Sequence, residues 1–355
     1  MKKIFISVLD SSAELYISRV SFFIDKKTVI YSTSPKIRRS EKVLDITDLS
    51  TVGLPDFRRV FFRIIFLLRF IGEIKPDKFV FCDSPDLHIP VGIIVKSLLG
   101  EKVKNIYFIP PTVWAWRKHR KEIVEKFFDR VIFIFPFEKD IWTKNGVYVG
   151  HPLCKIIKEE NIYSDYGIQI RGSDLPSHKG VICFLPGSRY SEVKNHLNLL
   201  ISLGREMRDY VFLVPTRFSP LIEICRGDFS LKVVPQELSR FAMRISDFVI
   251  SASGTATLES ALIGKPTVVF YKLPYLSFEL AKRMIEKDIR FISLPNIILG
   301  EEVFPELIQE DATAEKIINA LNFVKEKNFE SVSKKLFEKL EFFDFLDIAK
   351  IIDDV

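Results

Sequence analysis

Short apolar runs of strand type recur along the chain, separated by helical stretches. In the first half they are Lys3–Val8, Lys78–Cys82, Asn105–Ile109 and Arg130–Phe135, and the helices between them include Phe57–Ile74 and Arg117–Phe128. The second half repeats the plan with Val181–Leu185, Tyr210–Val214, Leu231–Val234, Phe248–Ser251 and Thr267–Tyr271, and the tail beyond Ala312 is patterned as helix. Near-continuous β-branched runs belong to strands covered on both faces, and helices between such strands make the sheet parallel. The pattern predicts an α/β protein with two doubly wound, Rossmann-like domains facing a cleft. Residues 159–180 are polar with Gly, Pro, Asp and Ser and read as a linker. The domains expected are 1–158 and 175–330, with a C-terminal helix over about 335–355 packing back onto the first.

Composition sharpens this. With 355 residues, 47% of them hydrophobic, the chain is long enough for two cores. No stretch reaches the roughly 20 uninterrupted apolar residues that span a bilayer. The run from Ile4 to Leu9 follows two lysines but is too short for a signal peptide, and Asp10 closes it, so a cytoplasmic location is expected. Cys82, Cys154, Cys183 and Cys225 show neither C-x-x-C spacing nor clustering with histidine, which predicts core thiols without disulfide or zinc. Residues 1–150 hold 26 Lys and Arg against 17 Asp and Glu, a net +9, whereas residues 151–355 carry a net −3. A basic first half points to an anionic partner or surface. Nucleic acid and anionic lipid both satisfy that requirement on composition alone.

Three segments carry candidate chemistry. In Ser246–Ser260 a strand ends at Ser251, the small residues Ser253 and Gly254 follow, and a helix begins near Thr255. Such a loop lets backbone approach a ligand, and the helix N-terminus offers amides to a diphosphate. Glu259, one turn on, is placed to accept hydrogen bonds from ribose hydroxyls. An ordinary Ser/Thr-capped helix is the plainer alternative. In Phe184–Glu192, Gly187, Ser188 and Arg189 again follow a strand, and a guanidinium there suits phosphate oxygens. A surface arginine after a tight turn is the alternative. In Phe79–Asp86 the carboxylates of Asp83 and Asp86 lie just beyond a strand, where a general base for a sugar hydroxyl could sit. An Asp before Ser-Pro is also a common turn-former, and spacing alone favours that reading. His119 falls in a basic run, Arg117–Lys121, that reads as a solvated face. His151 lies at the expected domain junction, where hinge, cap and ligand roles are all open.

On a helical wheel for Phe57–Ile74, Val60, Phe61, Ile64, Ile65, Leu67, Leu68, Ile71 and Ile74 share one broad face. The opposite arc holds Arg58, Arg59, Arg63 and Arg69, interleaved with Phe62, Phe66 and Phe70. Rings beside guanidiniums suit a membrane interface, where rings enter the acyl boundary and cations meet phosphates. A helix buried on two sides is the alternative.

Taken together, these segments resemble lipid-A-disaccharide synthase, a GT-B fold glycosyltransferase family. The resemblance rests on Asp45–Ser50, Lys75–Val80, Asp83-Ser-Pro-Asp86, Pro111-Thr-Val-Trp-Ala-Trp-Arg117, Phe135-Pro-Phe-Glu138, Gly150-His151 and Leu185-Pro-Gly-Ser-Arg189 with Glu192. It continues through Ala252–Glu259, Ala281–Arg283, Ser293-Leu-Pro-Asn296 and Glu306–Gln309, and covers about residues 45–325. It implies an inverting transfer from UDP-2,3-diacylglucosamine to 2,3-diacylglucosamine 1-phosphate, giving a β-1,6-linked disaccharide and UDP. It implies no metal, no cofactor and no nucleic-acid partner. The enzyme would be peripheral on the inner face of a Gram-negative inner membrane, with a homodimer possible. Carried over by position, Asp83 is the general base, with Asp86 and Asp10 beside it. Gly187, Ser188, Arg189, Ser253, Gly254, Thr255, Glu259, Asn296 and Gln309 would hold the UDP-sugar.

The family's usual Gly-Glu-x-Ser-Gly-Asp loop is here Leu9-Asp10-Ser11-Ser12-Ala13-Glu14. Residues with a Cβ resist positive φ, so a different backbone path is predicted there, with consequences for the acceptor. A UDP-GlcNAc 2-epimerase would need more carboxylates and histidines around the cleft than this chain offers. A non-catalytic nucleotide- or lipid-binding relative is the other alternative.

Overall fold

The structure is a computed structural model that describes residues 2–45, 57–115, 117–162, 179–273 and 290–355. The described chain forms two compact units, one running to Leu153 and joined by Leu340–Val355, the other spanning Cys154 to Lys339. In the first, seven parallel strands, β1 (Lys3–Val8), β2 (Val29–Ser32), β3 (Ser40–Val43), β4 (Lys78–Cys82), β5 (Lys104–Phe108), β6 (Arg130–Phe133) and β7 (Gly146–Tyr148), lie in the order β3-β2-β1-β4-β5-β6-β7. Helices α1 (Ser11–Ser21), α2 (Phe57–Ile74), α3 (Pro85–Leu99) and α4 (Arg120–Phe127) connect them. Phe5, Phe79, Phe81, Tyr107 and Val131 of the strands are buried with Leu67, Phe70 and Ile71 of α2, which is why these runs show no alternation.

The second unit begins with α5 (Leu153–Ile162). Its sheet has β8 (Gly180–Leu185), β9 (Tyr210–Pro215), β10 (Ser230–Val234), β11 (Phe248–Ala252), β12 (Thr267–Tyr271) and β13 (Glu306–Ile308) in the order β10-β9-β8-β11-β12-β13. Helices α6 (Tyr190–Glu206), α7 (Ser219–Glu223), α8 (Ser239–Ile245), α9 (Thr255–Ile263), α10 (Leu294–Leu299), α11 (Ala314–Val324) and α12 (Phe329–Leu340) complete it, and α13 (Phe345–Asp354) belongs to the first unit. Both sheets are doubly wound and parallel, the fold class expected from the sequence.

The boundaries differ in detail from those expected. Leu153 closes the first unit ahead of position 158, because the body of α5 belongs to the second: Glu160 accepts from Arg240 (Nη2 2.7 Å) and from Arg244 (Nη1 3.0 Å). Of the expected linker, residues 163–178 lie outside the described residues and 159–162 finish α5. The tail helix is two helices, α12 and α13. Between them Phe343 N donates to Val149 O (3.1 Å) and Glu341 O accepts from His151 N (3.2 Å). His151 is buried against Tyr16 and Phe135, burial pushes its pKa down to about 3, and its Nδ1 accepts from Leu153 N (3.3 Å) at the start of α5. Among the roles left open for it, the capping contact is present. All four cysteines are free and buried.

Helix α2 corrects the wheel. Its packed stripe is Arg63, Leu67, Phe70, Ile71 and Ile74, the i, i+4, i+7, i+8, i+11 positions of one face. Arg63 and Phe70, assigned to the membrane arc, are therefore buried; Phe70 packs on Phe5 with ring centroids 5.8 Å apart. Conversely Phe61 and Ile65, expected inside, are exposed beside Phe62 and Phe66, each of the three rings at nearly 60% and Ile65 at 44%. The helix is apolar almost all round, so hydrophobicity alone did not mark which stripe packs. Arg69 is exposed, and the side chains of Arg58 and Arg59 lie outside the described residues. No helix among the described residues is long and apolar enough to cross a membrane.

Candidate active site

In a doubly wound sheet the crossovers on either side of the switch point leave toward opposite faces, opening a crevice at the carboxyl ends of the two central strands. In the first unit that point lies between β1 and β4, paired through Val8 and Cys82. Asp83 follows the end of β4 directly, and Asp10 lies two residues beyond the end of β1. Asp10 caps α1, its Oδ1 accepting from Ser12 N (2.8 Å) and Ala13 N (3.2 Å). It has φ −76°, and no residue from 9 to 14 takes positive φ, so the chain enters α1 by a path that needs no glycine. The carboxylate expected to be catalytic is thus a helix cap, because α1 starts at once after β1.

Asp83 and Ser84 are the unusual pair: φ is +51° and +47°, a left-handed conformation that residues with a Cβ avoid. The turn is pinned by its carbonyls. Asp83 O accepts from His88 Nδ1 (2.7 Å) and from Tyr107 Oη (2.9 Å), and Ser84 O accepts from the amides of Leu87 and His88 (3.0 Å each). Because a carbonyl only accepts, the His88 proton sits on Nδ1, and Nε2 then accepts from Ser7 Oγ (2.8 Å) on β1. Burial holds this imidazole neutral, its pKa pushed down to about 4, and burial likewise raises the Tyr107 phenol. His88 and Tyr107 went unnoticed in the sequence; the signal was a histidine in the first turn after a strand-end carboxylate.

Asp86 is engaged by two arginines. Its Oδ1 is held by Arg117 Nη1 (2.9 Å) and by Arg120 Nη2, so it ties the start of α3 to the start of α4. Arg120, read as part of a solvated face, is buried by that pairing, whereas His119 is exposed.

In the second unit the switch lies between β8 and β11, where Leu185 pairs with Ser251, so the loops Pro186–Arg189 and Ser253–Thr255 start side by side. Gly187 has φ +105°, and a Cβ there would lie 2.5 Å from Glu192 Oε2. Glu192 folds back over this turn: Oε2 accepts from the amides of Ser188 (3.1 Å) and Arg189 (3.3 Å), and Oε1 pairs with Arg189 Nη1 (2.7 Å). A ligand at these amides would compete with that carboxylate. His196 is buried under the same turn, with Nδ1 2.7 Å from Pro186 O and Nε2 3.3 Å from Lys272 O. Gly254, at φ +154° and ψ −165°, occupies a region open in practice only to glycine, with nothing within 4 Å of a Cβ position. Thr255 opens α9 behind it, and the Ser253 hydroxyl turns away to Ile292 O (2.9 Å). The turn at Gly254 leaves an approach to backbone at the switch point, the arrangement suited to a diphosphate, whereas the space at Gly187 is filled by Glu192.

Three residues assigned to the ligand have side chains paired within the protein. Asn296 is fully buried; Nδ2 donates to Phe304 O and Glu306 Oε1 (2.8 Å each), and Oδ1 accepts from Val303 N (2.9 Å) and Phe304 N (3.0 Å). Gln309, at φ +54°, pairs through Oε1 and Nε2 with the backbone of Leu273 (2.7 and 3.1 Å). Glu259 is nearly buried, which raises its pKa, and its Oε1 is turned to Arg240 Nη1 (3.3 Å). In each case a buried polar group is satisfied internally because burying it unpaired would be costly. We predict that Asn296→Ala, which strands two buried amides, lowers the unfolding free energy by about 3 kcal/mol. Any folded fraction, measured by calorimetry with UDP, should bind UDP as the parent does; a stable variant with lost UDP affinity would instead make Asn296 a ligand.

The family model for lipid-A-disaccharide synthetase matches residues 4–348. The lipid-A-disaccharide synthase of Aquifex aeolicus (strain VF5) is 32% identical over 347 residues, covering 95% of this chain and 93% of the relative. That of Sulfurihydrogenibium sp. (strain YO3AOP1) is 33% identical over 369 residues with the same coverages. Among solved structures, UDP-GlcNAc 2-epimerase from Neisseria meningitidis bound to UDP-GlcNAc superposes with TM-score 0.62 at 11% identity, covering 100% of this chain and 99% of that one. The spinosyn rhamnosyltransferase SpnG gives 0.61 at 10% identity with full coverage of both. At such identities the solved structures speak to the fold, the two-unit plan shared by GT-B glycosyltransferases and these epimerases. The sequence relatives go further, and on them the chain belongs to the lipid-A-disaccharide synthase family, enzymes that are glycosyltransferases of lipid A synthesis.

Proposed function

We propose that this chain transfers 2,3-diacylglucosamine from its UDP derivative to the 6-hydroxyl of 2,3-diacylglucosamine 1-phosphate, with inversion. The acceptor oxygen attacks the anomeric carbon as the bond from that carbon to the UDP phosphate oxygen breaks. The hydroxyl proton passes to Asp83, and UDP leaves as the β-1,6 disaccharide forms. The observation that carries this reading is the strained turn at Asp83, at the switch point of the first sheet. A left-handed Asp-Ser pair costs on the order of 1–2 kcal/mol per residue and persists only where the surroundings impose it, which is characteristic of sites that orient a reacting group. The glycine turns at Gly187 and Gly254 support the second unit as the UDP side, with Arg189 opposite the charge that develops on the leaving diphosphate.

The exposed rings of Phe61, Phe62 and Phe66, with Ile65 and Arg69, support a peripheral seat on the inner, anionic face of the inner membrane. Phe61, Phe62 and Ile65 lie in the first half of α2, and Phe66 follows at its middle. That helix ends at Ile74, just before β4 begins at Lys78, so its first half lies toward the strands' carboxyl ends, the end that bears Asp83. Acyl chains reaching the acceptor from a bilayer would meet this face.

Two outcomes follow. Asp83→Asn should lower kcat by about 10²–10⁴-fold, the usual worth of a general base, while UDP affinity stays within about twofold; retained turnover would remove Asp83 from the chemistry. Phe62→Ser with Phe66→Ser should weaken sedimentation with anionic liposomes by about tenfold or more and leave turnover of detergent-dispersed substrates intact. Unchanged sedimentation would move the membrane seat elsewhere.

A further inference from the structure

His88 is fully buried close to Asp83 and is held at both ring nitrogens. It sits on the first turn of α3, and its ring packs on Phe81 at 5.5 Å. Each nitrogen has one defined partner: Nδ1 donates to Asp83 O (2.7 Å), and Nε2 accepts from Ser7 Oγ (2.8 Å). Ser7 is itself buried on β1, the strand paired with β4. Tyr107 on β5 donates to the same Asp83 carbonyl from the other side (2.9 Å). Three neighbouring strands, β1, β4 and β5, therefore converge on one peptide carbonyl. That carbonyl is the C=O of a residue at φ +51° followed by another at φ +47°. The bonds from His88 and Tyr107 are the ones that fix the direction of this carbonyl, and the direction in which the Asp83 carboxylate leaves the strand end is coupled to it through the same backbone.

We propose that His88, with Tyr107, is a positioning residue for the proton-accepting carboxylate: it locks the Asp83 carbonyl and so fixes the left-handed turn that aims the base. This rests on the reading of Asp83 as the base given above. The role belongs to one nitrogen. Asn carries an amide N–H at the reach of Nδ1, so His88→Asn keeps the bond to Asp83 O, whereas Gln reproduces the reach of Nε2 toward Ser7 and leaves Asp83 O with Tyr107 alone. If His88 merely filled space, Gln, the closer match in volume, would be the better substitute.

The test is steady-state kinetics of the full chain with His88→Asn, His88→Gln, Tyr107→Phe and Asp83→Asn, using UDP-2,3-diacylglucosamine and the acylated acceptor phosphate. Each variant is checked by thermal melting and UDP binding. His88→Gln is expected to lower kcat by about 10–100-fold with KM for the donor within about twofold, the scale of a misaligned reacting group. His88→Asn should recover to within about threefold of the parent, and Tyr107→Phe should fall between the two. Gln equal to or better than Asn, or both at parental kcat, would overturn the positioning role. So would losses that track melting temperature rather than the identity of the amide. If Asp83→Asn keeps full activity the base assignment itself fails; if Asp83→Asn is inactive while His88→Gln is not, only the positioning inference fails.

Discussion

Parallel strands cannot be joined by tight turns, and this constraint shapes every functional feature of the molecule. Each strand must hand the chain to a crossover, so the carboxyl edge of each sheet is a row of strand-to-helix turns. Where neighbouring crossovers leave toward opposite faces, between β1 and β4 and again between β8 and β11, a crevice opens. The two halves fill that crevice differently. The second puts glycines there: Gly254 leaves backbone open to a ligand, and Gly187 makes room for Glu192. The first puts Asp83 and Ser84 in a conformation normally left to glycine, and buries a histidine and a tyrosine to hold them in it.

The two units also share a device. Each has a buried histidine on a helix that follows a switch-point strand, α3 after β4 and α6 after β8, with Nδ1 directed at a carbonyl of the turn between them: His88 to Asp83 and His196 toward Pro186. Burial lowers the pKa of both, so each acts as a neutral, rigid spacer between strand and turn rather than as a charge. In the second unit the Glu192 carboxylate covers the amides of Ser188 and Arg189, groups that a phosphate would seek. The residues nearest the turns thus divide into those that hold backbone and those that would meet substrate, and many of the polar ones belong to the first group.

That division explains what could be read from the sequence. The buried strands were legible because parallel strands covered on both faces write themselves as unbroken apolar runs. The short strands β2, β3, β7 and β13 were not: Ser40–Val43, for instance, is a polar edge strand with three of four residues exposed. The positions of Asp83, Arg189 and Gly254 at strand ends followed from pattern, as did the helix start at Thr255. Sequence could not tell that Asn296 and Gln309 spend their amides on backbone, or that Asp86 is taken by two arginines, because those outcomes depend on what lies opposite in space. Nor could it choose the packed stripe of α2, where rings occur all round the helix and only contact with Phe5 and the sheet decides that Phe70 goes in while Phe61 stays out.

In the mechanism we propose, a carboxylate clamped at the first switch point deprotonates a sugar hydroxyl while the second unit holds a UDP-sugar for a single displacement. The stereochemistry of the product tests it most directly. Nuclear magnetic resonance of the disaccharide formed from an α-linked UDP-diacylglucosamine should show only a β-1,6 linkage, with one UDP released for each disaccharide. An α-linked product, or an epimerised sugar without disaccharide, would contradict it.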